Sequence, residues 1–139
     1  MDGSNSTVAQ QLAQAASAFE QKRTGHAPKS VNVVLSDDTL VITLRGALSA
    51  AEIAVAQSPA GAARMQEFHR QVFANASDSL RQEIKRITGV AVREASAELE
   101  TMTGAVMEVF ATGTLVQVFL LAGNVPADTW SGSGRDDQS

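Results

Sequence analysis

The chain has 139 residues, of which 44% are hydrophobic and 4% aromatic, and its formal net charge is -4. This length fits one domain with a modest core. The negative charge disfavours broad affinity for nucleic acid. The chain has no cysteine, which excludes disulfides, thiolate metal sites and a cysteine nucleophile. No apolar run reaches the roughly 18 to 20 residues of a membrane span, and the first residues lack the features of a signal peptide, so we expect a cytoplasmic protein with no direct membrane insertion and no nucleic-acid partner.

The first predicted element is a helix over residues 7–23. Thr7 and Gln10 have the spacing of a capping box, in which each side chain covers a free backbone amide. Glu20 is assigned to a position off the apolar face of this helix. Gly25 is suited to end the helix in a left-handed conformation. The predicted apolar face consists of Val8, Leu12, Ala15, Ala16 and Phe19.

A β-hairpin is predicted after this helix. Pro28 favours an extended backbone ahead of a strand over residues 31–35. The short polar residues Ser36-Asp37-Asp38-Thr39 are typical of a hairpin turn. Apolar residues alternate with Val, Thr and Arg over residues 40–45, which predicts the return strand.

Two helices are predicted next. Ser49 and Glu52 have the spacing of a capping box for a short helix that ends near residue 57. Pro59 suits the first position of a long helix over residues 58–89, because its missing amide needs no partner there. Apolar residues at steps of three or four predict one stripe along the long helix: Met65, Phe68, Val72, Ala76, Leu80, Ile84 and Ile87. His69 and Arg70 are expected on its solvated face.

Residues 90–111 carry two conflicting patterns. Apolar residues from Val92 to Val109 alternate steps of three and four, which favours a helix or a coiled-coil seam. Small or apolar residues also alternate with polar and acidic ones around Leu99, and Val106, Val109 and Phe110 favour β structure. We favour two strands joined by a turn at residues 101–104.

The end of the chain combines an apolar strand with a polar tail. Residues 115–121 are almost wholly apolar, which predicts a strand buried on both faces, or on one face and in a subunit interface. Residues 125–139 are predicted to be a polar flexible tail. Trp130 in this tail either docks back on the domain, which we favour, or is an exposed aromatic. In the apolar strand 115–121, the candidates for a subunit interface are Leu115, Val116, Val118, Phe119 and Leu121.

The predicted order is α-β-β-α-α-β-β-β. It indicates an α+β fold, a single two-layer domain over residues 7–124 in which one long helix covers a mostly antiparallel sheet. Residues 1–6 are predicted to be a flexible N-terminus.

Taken together, the short motifs resemble the MpsC-like family, bacterial proteins long known as a domain of unknown function. The resemblance covers about residues 12–110. It is carried by Gly25-His26-Ala27-Pro28, Leu48-Ser49-Ala50-Ala51-Glu52, Arg70 with Phe73, Ile87-Thr88-Gly89 and Thr103-Gly104. The chain departs from the family pattern at His26 and Ala27, where arginine and glycine are usual, and at Lys85 and Arg86, where a glutamate is common.

The resemblance implies a setting for the protein. The family name comes from an accessory component of a cation-dependent, membrane-potential-generating system related to inorganic-carbon uptake. The resemblance therefore implies a small protein close to a membrane transport complex. It also favours the two-strand interpretation of residues 90–111.

Each candidate site has a functional and a structural interpretation. Gly25, His26 and Pro28, with Arg70, are candidates for ligand or anion binding; alternatively, glycine and proline only shape a loop with solvated charges. Glu52 is a candidate general base, although its spacing from the serine cap explains it without catalysis. His69 has no His or Cys at i+3 or i+4, so we assign no metal site. We also assign no catalytic residue and no cofactor.

The leading hypothesis is a non-enzymatic accessory or interaction protein that forms a homo-oligomer, with a dimer favoured. The alternative is a small-ligand or anion sensor that uses the His26 loop and Arg70. A third hypothesis, an enzyme, needs two titratable groups that face each other, for instance Glu52 with His26 or His69.

Overall fold

The structure of the protein is a computed structural model, which describes residues 7–100 and 113–132. Its elements follow one another as α1 (Val8–Thr24), β1 (Ser30–Ser36), β2 (Thr39–Arg45), α2 (Ala50–Val55), α3 (Pro59–Thr88), β3 (Val92–Glu100), β4 (Thr114–Leu121) and α4 (Ala127–Gly132). The α+β prediction is confirmed, and so is the strand within residues 92–100. The predicted turn and second strand at 101–111, the N-terminus 1–6 and residues 133–139 lie outside the described residues.

The four strands form one antiparallel sheet in the order β1-β2-β4-β3. The final strand, β4, therefore lies between β2 and β3, where both of its edges are paired. In the middle of the sheet, the register aligns Val33, Ile42, Gln117 and Ala97 across the four strands. Their side chains share one face, because directly opposed residues of neighbouring strands point the same way.

The helices pack on that face and enclose the core. The 30-residue helix α3 contacts β3 and α1, and α1 contacts β1. Along β4, buried and half-buried positions alternate strictly, and Leu115, Phe119 and Leu121 are at most 1% exposed. The long helix thus covers the sheet as predicted, together with α1.

The predicted helix ends are confirmed. Thr7 with Gln10 and Ser49 with Glu52 each form a complete capping box. Gly25 ends α1 and Gly89 ends α3 in the left-handed region, with φ near 80° in both. These four features depend on neighbours within four positions, which explains why the sequence predicts them well.

The buried faces of α1 and α3 differ from the prediction. Phe68, placed on the apolar stripe, is 45% exposed, whereas Glu20 and His69, placed off the apolar faces, are each 2% exposed. The inward face of α3 includes His69, Phe73, Ser77, Leu80, Ile84 and Thr88. The buried face of α3 is thus offset from its most hydrophobic stripe. Polar residues on the buried face have hydrogen-bond partners, as His69 does with Glu52 and Thr88 with the carbonyl of Ile84.

The start of the predicted C-terminal tail is also corrected. Val125 is buried, α4 contacts α1, and Trp130 packs against the hydrophobic core. The structure has a short helix over residues 127–132 where the sequence predicts a polar tail, and the predicted docking of Trp130 is confirmed. One large aromatic ring outweighs the polar composition around it, because it removes much apolar surface from water.

Candidate functional site

Three ionisable side chains meet where α1, α2 and α3 come together. The Nε2 atom of His69 lies 3.1 Å from Oε2 of Glu52, and its Nδ1 atom lies 4.0 Å from Oε1 of Glu20. The side chains of His69 and Glu20 are 1% and 3% exposed, and that of Glu52 is 18% exposed. We call these three residues the Glu-His-Glu cluster.

Local helix structure positions each member of the cluster. Glu52 uses its other oxygen, Oε1, to accept a hydrogen bond from the backbone amide of Ser49, 2.9 Å away. The same carboxylate thus caps α2 and binds the imidazole. Glu20 follows Ala16 by four residues and so continues the buried row of α1. The ring of Phe68 packs edge-on against the ring of His69 and covers it from outside.

The electrostatics of the cluster centre on Glu20. Burial, helped by the negative charge of Glu52, raises the pKa of Glu20 to about 7. Its Oε1 atom has no hydrogen-bond partner, because 4.0 Å is too long for a hydrogen bond to His69. A carboxyl with this pKa gains or loses a proton near neutral pH.

The cluster can therefore hold and exchange a proton. The Nε2 atom of His69 faces Glu52, and its Nδ1 atom faces Glu20, so the imidazole lies between the two carboxyl groups. Glu52 and His69 supply the two facing titratable groups that an enzyme would need. In this arrangement, however, His69 is enclosed by protein. Within residues 7–100 and 113–132, no group of three or more His, Asp or Glu side chains is arranged to hold a metal ion.

The structure separates the ligand-binding residues predicted from the sequence. His26, in the loop that contains Gly25 and Pro28, is half-buried, and its Nε2 lies 3.0 Å from the carbonyl oxygen of Gly46, next to β2. Arg70 instead bonds Glu98 on β3. Because β4 lies between β2 and β3, these two strands are roughly 10 Å apart. The partner of His26 at the end of β2 is therefore separated by that distance or more from the partner of Arg70 on β3. The combined site of the His26 loop and Arg70 is therefore not formed.

Arg70 is already paired at the surface. Its guanidinium donates to Glu67 on the same helix and to Glu98 on β3, with 2.9 Å to the nearer Glu98 oxygen. The hydrogen bonds and charge of Arg70 lower the pKa of Glu98, and Glu98 in turn raises the pKa of Arg70. Exposed pairs of this kind contribute little to stability, but they occupy the cation.

The five interface candidates divide between the two faces of β4. Leu115, Phe119 and Leu121 lie in the protein's own core, so they are not available to a partner. Val116 and Val118 point to the opposite face, where they are half-buried. Only these two remain candidates for an interface.

The sequence analysis names His69 as a possible partner of Glu52 in an enzyme but expects it on the solvated face, and it misses Glu20 and a wholly buried glutamine, Gln117. Glu20 has a signal in the sequence, since Val8, Leu12 and Ala16 precede it at steps of four. His69 has a weaker signal, four residues before the buried Phe73. Gln117 interrupts an apolar strand, and both its amide atoms are buried without a partner.

Comparison with known proteins places the chain in a family context. A family model described as "Na+-translocating membrane potential-generating system (MpsC)" matches residues 4–113, which is well over half of the chain. Comparisons with curated proteins and with solved structures gave no match. In the part of the chain that the structure describes, no helix is both long and apolar enough to cross a membrane.

Proposed function

We propose that this chain, which belongs to the MpsC family, is a non-enzymatic cytoplasmic accessory protein that binds other proteins of a membrane cation system. The observation that carries the proposal is the family match over residues 4–113. The description of that family supplies the membrane system, and the accessory role is our inference from the surface of the fold.

The outer face of the sheet supports an interaction role. The helices pack on the inner face, so the outward side chains of the strands lie on the other side. Val34, Val41 and Val118 are aligned there by the register of β1, β2 and β4, and Val34 is 51% exposed. We call these three residues the outer valine row. Val34 is exposed and the other two valines are half-buried, so the row presents adjoining apolar side chains at the surface, as protein contact surfaces do.

We further propose that two copies pair through the outer valine row. A two-fold dimer is the simplest closed assembly, and it presents the same patch from both copies. Two sheets that pack face to face cover such rows on both sides. The dimer is then the form that meets the membrane partner.

A matched pair of variants tests the dimer. Val34→Asp places a charge in the outer valine row, whereas Val55→Asp makes the same change at a valine of α2 that is 42% exposed. We expect light scattering to show a dimer for the wild type and Val55→Asp, and a monomer for Val34→Asp at micromolar concentration. A wild-type monomer would refute self-association while leaving the partner hypothesis standing.

The partner hypothesis needs its own measurement. The tagged full chain would be recovered from native cells with mild detergent, and the proteins bound to it identified by mass spectrometry. We expect subunits of a membrane cation transporter, in amounts above those recovered with an unrelated tagged protein. Recovery of only soluble enzymes of one pathway would contradict the proposed accessory role.

A further inference from the structure

A pocket of about 330 Å³ lies between α3 and β3. This volume falls in the range of about 300 to 1,000 Å³ that is typical of small-molecule sites. Its polar lining comes from both elements: Arg70, Ser77 and Arg81 on α3, and Ser96 and Glu98 on β3. The pocket thus combines cations and hydroxyls around a small space.

Arg81 is the available cation in this pocket. Its Nε atom is buried and has no hydrogen-bond partner. By contrast, Arg70 is held by two carboxylates, and Arg86 on the same helix is held by Glu83. A buried donor on a charged group is unfavourable unless something accepts its hydrogen bond. The geometry therefore leaves a guanidinium ready for an acceptor that the described residues do not supply.

A second unpartnered polar side chain lies next to the pocket. Ala97 lines its inner side and is directly opposite Gln117 of β4. Opposed residues of an antiparallel pair have Cβ atoms roughly 5 Å apart and point to the same face. The amide of Gln117 is 0% exposed, and neither its nitrogen nor its oxygen has a partner. Gln117 does not itself line the pocket, so the buried Nε of Arg81 is the group that a polar occupant would satisfy.

A second pocket with an arginine in its lining is less suited to a ligand. It lies between α1 and α3 and measures about 260 Å³. Its arginine, Arg23, contacts the hydroxyl of Ser79 at 3.5 Å and lies over the ring of Phe19. Those contacts already use the guanidinium, so the pocket beside Arg81 is the better candidate.

We propose that the pocket between α3 and β3 binds a small oxyanion, with Arg81 as its cation and the hydroxyl of Ser77 as a further donor. A guanidinium presents parallel N–H groups that match two oxygens of a phosphate, sulfate or carboxylate. The lining carries two arginines and one glutamate, so its net charge favours an anion. This site does not depend on the proposed accessory role.

The first test compares two arginine variants of the full chain. Isothermal titration with inorganic phosphate and with sulfate would be carried out at constant ionic strength, on Arg81→Met and on Arg64→Met. Arg64 is an exposed arginine of the same helix, outside the pocket lining. We expect Arg81→Met to weaken phosphate binding by roughly tenfold or more, as for loss of a charged hydrogen bond, and Arg64→Met to leave it within about twofold.

A third variant tests the pocket without changing Arg81. Glu98→Gln removes the negative charge from the lining and leaves Arg70 with only one of its two carboxylate partners, Glu67. We therefore expect phosphate to bind a few times more tightly. Chloride should compete poorly with sulfate, because a single atom cannot engage two donors of the guanidinium. Equal weakening in the two arginine variants, weaker binding in Glu98→Gln, or absence of phosphate binding at millimolar concentration would each overturn the proposal.

Discussion

Replacing Glu20 with glutamine removes a buried carboxyl whose pKa is raised from an ordinary 4.5 to about 7. The folded protein holds the proton of this group more tightly than the unfolded chain does. Its protonation therefore favours the folded state fully below pH 4.5, and that contribution is lost as the pH rises through 7. The change corresponds to a stability loss on the order of 3 kcal/mol between acid and mildly alkaline pH.

Glutamine has no charge to lose, so Glu20→Gln should avoid this loss. We expect the variant and the wild type to have similar unfolding free energies near pH 5. Above pH 7 the variant should be more stable, by up to about 3 kcal/mol. Urea unfolding at pH 5, 6, 7 and 8 would be followed by far-UV circular dichroism. Fluorescence of Trp130 gives a second probe, since its side chain packs against the core.

The control is Glu94→Gln, which changes an exposed carboxylate on β3 and should not alter the pH dependence of stability. A variant-minus-wild-type difference that stays constant from pH 5 to 8 would refute proton uptake by Glu20. A variant that is less stable than the wild type at pH 8 would also refute it. That second result would mean that Glu20 is ionised at pH 8 and stabilised by His69, 4.0 Å away.

Two further predictions concern packing around α3. His69→Leu leaves the carboxylate that caps α2 without its imidazole partner, so the unfolding free energy should fall by about 1 to 3 kcal/mol. Phe68→Leu removes a partly exposed ring whose edge-on contact is with His69, so in the same urea titration it should cost about 1 kcal/mol or less. Gly61→Ala places a Cβ atom 1.7 Å from the carbonyl oxygen of Val55, and the overlap should lower the thermal midpoint by several degrees, for a cost of about 1 to 3 kcal/mol. In Gly123→Ala the added Cβ atom meets no atom within 4 Å, so the thermal midpoint should stay nearly unchanged. Similar shifts of the midpoint in the two glycine variants would contradict the packing of α3 on α2.

The parts of the fold that could be predicted are those determined by near neighbours. The capping box of Ser49 and Glu52 needs residues three positions apart, and the left-handed ends at Gly25 and Gly89 need one glycine each. The position of β4 between β2 and β3 could not be predicted in this way. It depends on pairing between residues such as Val41 and Val118, far apart in the chain, and no short pattern encodes which strands become neighbours.

The candidate site depends on a second kind of distant information. A hydrophobic stripe indicates the face of a helix whose burial is most favourable. It carries no information about the partners that a polar residue gains when the helix packs. His69 can be buried because Glu52 meets it from α2, and Glu20 becomes a neutral-pH proton site because α1 packs against the same point. Assigning Glu52 to a cap was correct, yet a carboxylate has two oxygens, and the cap uses only one of them. A cap that uses one oxygen of a half-buried carboxylate leaves the second oxygen free for another contact. In this fold that contact joins α2 to α3, beside Glu20 of α1.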